Sequence, residues 1–294
     1  MDTGFAACHP ALNFIFFALA IAGGMCFVHP LFLAVSLAAS LTYYMLLRGR
    51  AALRPLGWML ALGVLAGLAN PLFVTRGETL LFLWAGGRRF TLEALLYGLA
   101  AGGMLVTVLL WFGCYNAVMT DDKFQYLFAG AAPSLAMVLS MTLRLVPLFE
   151  RRAAQISLAR RCVGKGAADG RRRERLENGA QVLSALTQWA LEGSVETADS
   201  MRARGWGCGP RGRFSIWRFG RRDAALGAVM AAAGALLAAG VLGGGARAAY
   251  YPVLSLPCGG WTAAALAGYG ALCFLPAAVT IWEEISWRIS RSKI

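Results

Sequence analysis

Seven apolar runs constrain the fold of this sequence more than any other feature. They cover residues 11–28, 31–47, 56–69, 91–118, 125–147, 224–242 and 261–282. Most of them approach the roughly 20 residues that a helix needs to cross the hydrocarbon core of a bilayer. Hydrophobic residues make up 58% of the chain and charged residues only 15%, against roughly 45–50% and about 25% in soluble domains. The sequence therefore predicts an all-α fold of polytopic membrane helices in contact with the lipid bilayer.

The net charge of +13 is concentrated in one segment. Residues 148–222 carry 16 basic and 7 acidic side chains, a net charge of +9, whereas residues 1–147 have +3 and residues 223–294 have +1. Short loops rich in Lys and Arg stay on the cytoplasmic side of a membrane. We therefore expect a multi-pass protein of the cell membrane, with membrane helices over 1–147 and 223–294 and a basic cytoplasmic segment over 148–222. A chain this apolar is not expected to bind nucleic acid.

The basic segment conflicts with a simple count of crossings. If the Arg-rich loop 48–54 is cytoplasmic and the next two runs both cross, the chain is again cytoplasmic at 121–123. A further crossing by 125–147 would place the basic segment outside, against the charge rule. Pro133 and Pro147 bracket only 13 residues of that run, which favours a helix that dips into the membrane or lies along its cytoplasmic face. The alternative is that one earlier run does not cross.

Prolines suggest where several helices begin and end. The residue before a proline is disfavoured in helical conformation, so His9–Pro10 and His29–Pro30 are interpreted as loop or helix-entry residues. Asn70–Pro71 is expected to end the third run. The apolar stretch 80–84 is too short to cross, so 70–90 is expected to be an irregular or re-entrant connection.

Three polar residues inside the runs allow two interpretations each. Glu93, Asn116 and Arg144 could line a substrate path, because charged residues inside a membrane are costly and tend to be functional. Alternatively, Glu93 stabilises the first helical turn after Thr91, and Arg144 extends its charged group to the membrane interface.

Two helices are predicted within the basic segment. Apolar and basic residues alternate at helical spacing from 148 to 161, which indicates a basic amphipathic helix that ends at the glycines following it. A second apolar stripe recurs over 181–207, with Gly205 as the expected helix stop. Arg202 and Arg204 then lie in its last turn, where the helix dipole favours cations, and Asp199 is one turn from Arg202.

No catalytic motif is found in the sequence. The Gly164–Lys165 pair lacks the first glycine and the Ser or Thr of a phosphate-binding loop. Neither Gly-x-Ser-x-Gly nor His-Glu-x-x-His occurs. The seven cysteines are scattered, and the two histidines have no carboxylates nearby in sequence. We therefore expect no catalytic residue, no metal site, no disulfide framework and no cofactor.

Several segments resemble the transmembrane T component of energy-coupling factor (ECF) transporters. They are HPALNF (9–14), NPLF (70–73), TLEALLYG (91–98), WFGCYNAVMTDDKFQYLF (111–128), LSMTLRLVP (139–147), ETADSMRARGWG (196–207) and FSIWRFGRRD (214–223). The hallmark of that family is an Ala-Arg-Gly near the end of a cytoplasmic coupling helix, here Ala203–Arg204–Gly205. A second signature falls by position on Cys162–Val163–Gly164, which departs from the usual triplet. There Arg161 or Lys165 would supply the cation.

The resemblance implies a scaffold without catalytic activity of its own. Two cytoplasmic ABC-type ATPase subunits would bind the coupling helices, and their movement would reach a small membrane S component that captures a vitamin or metal ion. Two other hypotheses remain open. A membrane carrier or substrate-binding component acting without ATPases would need a polar pocket near the midplane, and an intramembrane enzyme would need paired carboxylates or a His/Cys cluster within its spans.

Overall fold

The chain is built almost entirely of α-helices, as the sequence predicts. A computed structural model describes residues 4–73, 79–84, 88–129, 132–166, 171–209, 217–246, 250 and 259–291. Within these ranges the elements are α1 (Pro10–Cys26), α2 (Pro30–Arg48), α3 (Leu53–Phe73), β1 (Leu80–Trp84), β2 (Arg88–Thr91), α4 (Leu92–Val118), α5 (Asp121–Phe128), α6 (Pro133–Cys162), α7 (Arg172–Ala203), α8 (Arg221–Leu242) and α9 (Gly260–Arg291). Single 3-10 turns over Gly4–Ala7 and Gly49–Ala52 precede α1 and α3.

The helices are those of a multi-pass membrane protein. Five stretches of the described chain are long and apolar enough to cross a bilayer, namely Pro30–Phe73, Leu92–Val118, Pro133–Cys162, Arg221–Leu242 and Gly260–Arg291. The first of these contains both α2 and α3, and α1 is a shorter apolar helix of 17 residues. Many large apolar side chains on α3, α8 and α9 are exposed, which is the arrangement expected of helices that face lipid.

The chain forms two compact units. One comprises Met1–Phe124 together with Trp217–Ile294, and the other is Gln125–Ile216. The larger unit, which we call the bundle, contains α1 to α4, α8 and α9. The smaller unit, which we call the insertion, contains α6 and α7. The insertion interrupts the bundle in sequence between α4 and α8.

Hydrogen bonds between side chains join three helices in the core of the bundle. Ser36 of α2 accepts hydrogen bonds from Trp111 Nε1 of α4 at 3.1 Å and from the Tyr269 hydroxyl of α9 at 3.0 Å. All three side chains are buried. Because an unpaired polar group in such surroundings is costly, these bonds specify how the three helices pack.

Two pairs of antiparallel helices pack through small residues. Gly63 and Gly67 of α3 face Gly102 and Gly98 of α4, and a Cβ on Gly102 would overlap the carbonyl oxygen of Gly63. Within each of these two helices the glycines have the Gly-x-x-x-Gly spacing that lets helix backbones approach closely in membranes. The α8–α9 pair is similar, since a Cβ on Gly268 would lie 2.8 Å from the Ala233 carbonyl oxygen.

Several chain ends meet at one end of the bundle, which we call the base. The Lys123 ammonium donates hydrogen bonds to the carbonyls of Ala6 at 2.8 Å and Val118 at 3.0 Å. The His9 amide donates to Asp223 Oδ1 at 3.1 Å. The base therefore contains residues 4–9, the end of α4 and the beginning of α8. The chain thus leaves the bundle and re-enters it at the same end.

The α9 C-terminus and the α2–α3 connection also lie at the base. Gly4 packs against Thr280, and Arg222 forms an ion pair with Glu283. Helix α2 runs parallel to α4, because Ser36 contacts Trp111 and Ser40 contacts Cys114. Since α4 ends at the base, α2 ends there too.

The expected irregular connection over 70–90 is wrong in two respects. Helix α3 continues through Pro71 to Phe73, because the lost amide hydrogen bond of one proline is tolerated in a membrane helix whose neighbours stabilise it. Asn70 of α3 donates to the Ala94 carbonyl of α4 at 3.0 Å. Beyond residues 74–78, which lie outside the described residues, β1 and β2 pair antiparallel from Leu80 opposite Thr91 to Trp84 opposite Arg88.

The expected boundary at Pro147 is also wrong. Helix α6 begins at Pro133, where a proline is well tolerated, and continues through Pro147 to Cys162. The apolar run ending at 147 and the basic amphipathic helix over 148–161 are therefore one helix of 30 residues. Residues 121–128, in contrast, form the separate short helix α5.

Candidate functional site

Helices α6 and α7 form an antiparallel pair within the insertion. The rings of Phe149 and Trp189 meet edge to face at 5.9 Å, and the Arg152 guanidinium lies 5.4 Å from the Trp189 ring. Nearer the end of α6, Arg160 donates to the Gln181 side chain. These contacts hold the C-terminal half of α6 against the N-terminal half of α7.

The end of α7 is defined by a Schellman motif. Gly205 has a φ of +79°, a conformation that glycine adopts without strain. Its amide donates to the Arg202 carbonyl at 2.9 Å, and the Trp206 amide donates to the Met201 carbonyl at 3.0 Å. The predicted helix stop at Gly205 is confirmed, and the helix itself ends at Ala203. Arg204 is held at the cap position by this backbone geometry.

The side chains at the α7 end are exposed. Residues 202–209 are all exposed, and none of the residues of α7, all of which the structure describes, is buried. Arg202 lies 3.9 Å from Asp199, with both side chains more than two-thirds exposed, and an ion pair of this kind contributes little to stability. Among the described residues, Arg204 forms no ion pair.

The end of α6 has the same backbone motif. Gly164 has a φ of +74°. Its amide donates to the Arg161 carbonyl at 3.0 Å, and the Lys165 amide donates to the Arg160 carbonyl at 2.9 Å. The two caps therefore correspond position by position, with Cys162, Val163 and Gly164 in the places of Ala203, Arg204 and Gly205.

The two ends differ in charge at one position. Val163, with 76% of its surface exposed, occupies the position of Arg204. Arg161 corresponds to Arg202, and Lys165 corresponds to Trp206. Arg161, Cys162, Gly164 and Lys165 are exposed. The predicted signature on α6 is therefore at a helix end, with its cations beside the cap position.

The antiparallel pairing places the two ends far apart. Gln181 contacts the end of α6 and is 22 residues before Ala203. At 1.5 Å per helical residue, the end of α7 is about 33 Å further along its axis. One compact binding site cannot include both ends.

The three polar residues predicted within the spans differ in burial. Glu93 is buried in the first turn of α4, and its carboxylate accepts a hydrogen bond from the Thr79 amide at 3.2 Å. An acidic group at a helix N-terminus is favoured by the helix dipole, so this geometry agrees with the structural interpretation of Glu93. Asn116 and Arg144 are exposed.

Sequence reasoning did not single out the charged residues at the base. Lys123 is only 2% exposed, and Asp223 is also buried. Lys123 shortly precedes the insertion in sequence, and Asp223 shortly follows it. Asp223 accepts a hydrogen bond from the Gly220 amide at 3.0 Å in addition to that from the His9 amide. Burial beside this cluster raises the pKa of Cys8 to about 11, although the positive charge of Arg222 opposes that shift. The thiol therefore stays protonated at neutral pH.

No metal-binding cluster occurs in the described part of the chain, where no group of three or more His, Cys, Asp or Glu side chains could hold an ion. No protein-family model matches the sequence, and no curated protein matches it either. The candidate functional residues are therefore identified by the two capped helix ends and by the sequence motifs they carry.

Proposed function

We propose that this chain is the transmembrane T component of an ECF-type ABC importer. In this role it couples ATP hydrolysis by two cytoplasmic ATPase subunits to uptake of a vitamin or metal ion by a membrane S component. The observation that carries the proposal is the end of α7, where Ala203–Arg204–Gly205 forms a rigid, exposed and positively charged helix cap. The motif and its geometry are those expected of a helix that docks into a groove on a partner.

The separation of the two helix ends supports two partner subunits. The α6 and α7 ends have the same cap geometry but are about 33 Å apart along α7. Each end would enter the groove of a different ATPase subunit. Arg204 in an acidic groove would form a charge-assisted hydrogen bond, which is stronger than a neutral one.

The distribution of basic residues supports a cytoplasmic base. Helix ends and connections at the base carry Arg48, Arg50, Arg54, Arg218, Arg221, Arg222, Arg288 and Arg291. By the positive-inside rule this end faces the cytoplasm. Because the chain leaves and re-enters the bundle at the base, residues 125–216 cross the membrane an even number of times. Helix α7 is not apolar enough to cross back, so α6 then makes no net crossing either, and the +9 segment stays where cytoplasmic ATPases would bind it.

The mechanism is transmission of movement rather than chemistry. When the ATPases bind ATP and close, the docked ends of α6 and α7 would move with them. The bundle would receive that movement at its base and pass it to the S component within the bilayer. A carrier acting alone is less well supported, because Glu93 is engaged at the first turn of α4 and Asn116 and Arg144 are exposed.

Replacement of Arg204 by Glu tests this function. We expect Arg204→Glu to reduce co-purification of the ATPase pair at least tenfold, because truncating or reversing one partner of a buried charge pair costs about 2–5 kcal/mol. The measurement is the ratio of ATPase to T component after affinity purification of the tagged complex.

Two further variants serve as controls. Arg173→Glu changes a charge near the other end of the same helix, where the side chain is exposed and pairs with Glu177, and should leave the ratio unchanged. Val163→Arg restores an arginine at the α6 cap and should increase it. Equal recovery of the ATPases with Arg204→Glu and with Arg173→Glu would refute the coupling role of this helix end.

A further inference from the structure

We propose that residues 4–9, which we call the strap, transmit movement of the insertion to α9. This inference rests on the proposed function, since it concerns how the movement enters the bundle. The strap contacts the chain where it leaves the bundle, where it re-enters, and at the end of α9.

The strap is anchored in the apolar core of the bundle. Phe5 is completely buried and packs edge to face on Phe16 at 5.1 Å and on Phe17 at 6.5 Å. Cys8 is buried as well. A segment with this much buried aromatic surface moves together with the helices on which it packs.

The exit point of the chain is bonded to the strap. Lys123 precedes the first residue of the insertion by two positions, and its ammonium binds both the Ala6 carbonyl of the strap and the Val118 carbonyl that ends α4. The side chain is almost completely buried. A buried ammonium is held firmly, because leaving it without its acceptors would be costly.

The re-entry point is bonded to the strap as well. Asp223, in the first turn of α8, accepts the His9 amide with one carboxylate oxygen and the Gly220 amide with the other. The ring of Phe219 packs on His9 at 5.6 Å. The chain on both sides of the insertion is therefore bonded to residues only three positions apart in the strap.

The other side of the strap contacts α9. Glu283 accepts a hydrogen bond from the Gly4 amide and forms an ion pair with Arg222. Gly4 has a φ of +73° and lies so close to Thr280 that a Cβ there would approach the Thr280 backbone to 2.9 Å. Movement at residues 123 or 222 can therefore reach α9 through bonded groups rather than through lipid.

The test compares nucleotide-dependent movement at two reporter sites in the complete complex with its ATPases. One reporter is Ser200→Cys on α7, and the other is Ile285→Cys on the exposed face of α9. Each is placed in a background without the exposed Cys26, Cys162 and Cys208 and without Cys258. The rate of maleimide labelling is measured without nucleotide and with trapped ATP. In the otherwise unchanged complex, ATP should change the rate at both sites.

Two variants should reduce the response to ATP at one reporter site and leave it unchanged at the other. Lys123→Met removes the bond to the Ala6 carbonyl of the strap, and Asp223→Ala removes the bond to the His9 amide. With either variant, we expect the ATP-dependent change at residue 285 to fall at least fivefold, while the change at residue 200 persists. Lys123→Arg keeps the cation beside the Ala6 carbonyl and should retain most of the response at 285. Glu284→Gln is the matched control, because Glu284 pairs with Arg288 on the exposed surface of the same helix, and it should leave both responses unchanged.

The outcomes distinguish the strap from the proposed function. If residue 200 responds to ATP and both Lys123→Met and Asp223→Ala leave the response at 285 intact, the strap does not transmit the movement, although the coupling function stands. If residue 200 does not respond in the unaltered complex, the coupling function fails and the strap proposal falls with it. Loss of the response with Glu284→Gln would also contradict the strap, since the effect would then belong to α9 in general.

Discussion

The two histidines cap the first two helices in the same way. Each precedes the proline that begins its helix. Its Nδ1 accepts a hydrogen bond from the amide two residues later in the chain, from Ala11 to His9 and from Leu31 to His29, both at 3.3 Å. The interpretation of His9 and His29 as helix-entry residues is confirmed. Nδ1 can accept only when it carries no proton, so each cap depends on an imidazole that is neutral.

At His29 this dependence predicts loss of stability in acid. Burial lowers the pKa of folded His29, so the unfolded chain binds the proton more tightly, and stability falls as the pH drops below about 6.5. We expect about 1 kcal/mol to be lost with the cap. The measurement is the thermal unfolding temperature in detergent between pH 7.5 and pH 5.5.

His29→Asn provides the comparison for this prediction. Asn is a good N-cap residue and does not titrate in this range, so the variant should lose part of the pH dependence while keeping the cap. If the variant and the unaltered protein lose stability equally in acid, His29 is not responsible.

At the scale of single residues, local signals were sufficient for some features and not for others. Gly205 could be predicted as a helix stop because the requirement for a positive φ depends only on adjacent residues. Lys123 and Asp223 could not be identified, because their burial depends on residues 4–9, which are more than a hundred positions away in sequence. Their proximity to the ends of apolar runs suggested only solvated loops.

At the scale of helices, the closest packing is that of α3 on α4. Gly63 and Gly67 contact Gly102 and Gly98 so closely that backbone atoms of one helix occupy the space that a side chain on the other would need. The sequence indicated only that glycines allow close approach. Which glycines face each other depends on the rotation of both helices, and that follows from packing.

Two substitutions by alanine should therefore have opposite effects. Gly102→Ala should destabilise the protein by about 1–3 kcal/mol, because the added methyl group forces the helices apart. Gly57→Ala lies on the same helix pair, but its Cβ would enter open space, so it should stabilise α3 by up to about 1 kcal/mol through helix propensity. Thermal unfolding of the purified protein measures both. Destabilisation by both variants to the same extent would contradict the close approach.

Prolines were the main source of error in the predicted helix boundaries. Pro71 and Pro147 both lie inside helices, as does Pro276 in α9. In water an interior proline usually ends a helix, and the expected boundaries followed that rule. In a membrane protein the alternatives to a helix are more costly, because freed backbone groups find no water in the hydrocarbon core.

At the scale of the whole molecule, the arrangement of chain ends predicts the side on which each residue is labelled. Asp122 is exposed next to Lys123 at the base, whereas Gly260 begins α9 at the opposite end of the bundle. With a cytoplasmic base, Asp122→Cys should react with a membrane-impermeant maleimide only in inverted vesicles, and Gly260→Cys only in intact cells. Both variants are made in the background without Cys26, Cys162, Cys208 and Cys258.

A third labelling site tests the placement of the insertion. Ser184→Cys, on the exposed surface of α7, should label from the same side as Asp122→Cys, because residues 125–216 cross an even number of times and α7 is not apolar enough to cross. Labelling of residues 122 and 184 from opposite sides would show that α6 crosses the membrane.

The fold class and the apolar spans could be predicted from the sequence because the bilayer selects for length and composition, which a single sequence displays directly. The predicted regions 1–147, 148–222 and 223–294 followed charge alone. The two compact units divide instead at 124/125 and 216/217, because α6 carries the end of the apolar run 125–147 and the basic stretch on one continuous helix. Charge marks a side of the membrane, whereas packing determines which residues fold together.

The meeting of both chain junctions at the base has an evolutionary consequence. A segment whose two ends are attached side by side can be lengthened, shortened or exchanged without a change in the path of the chain through the bundle. Insertion of one domain into another is tolerated for the same reason. Residues 125–216 are attached in this manner, since Lys123 before them and Asp223 after them both bond to residues 4–9. The bundle and the insertion can therefore acquire substitutions under separate constraints.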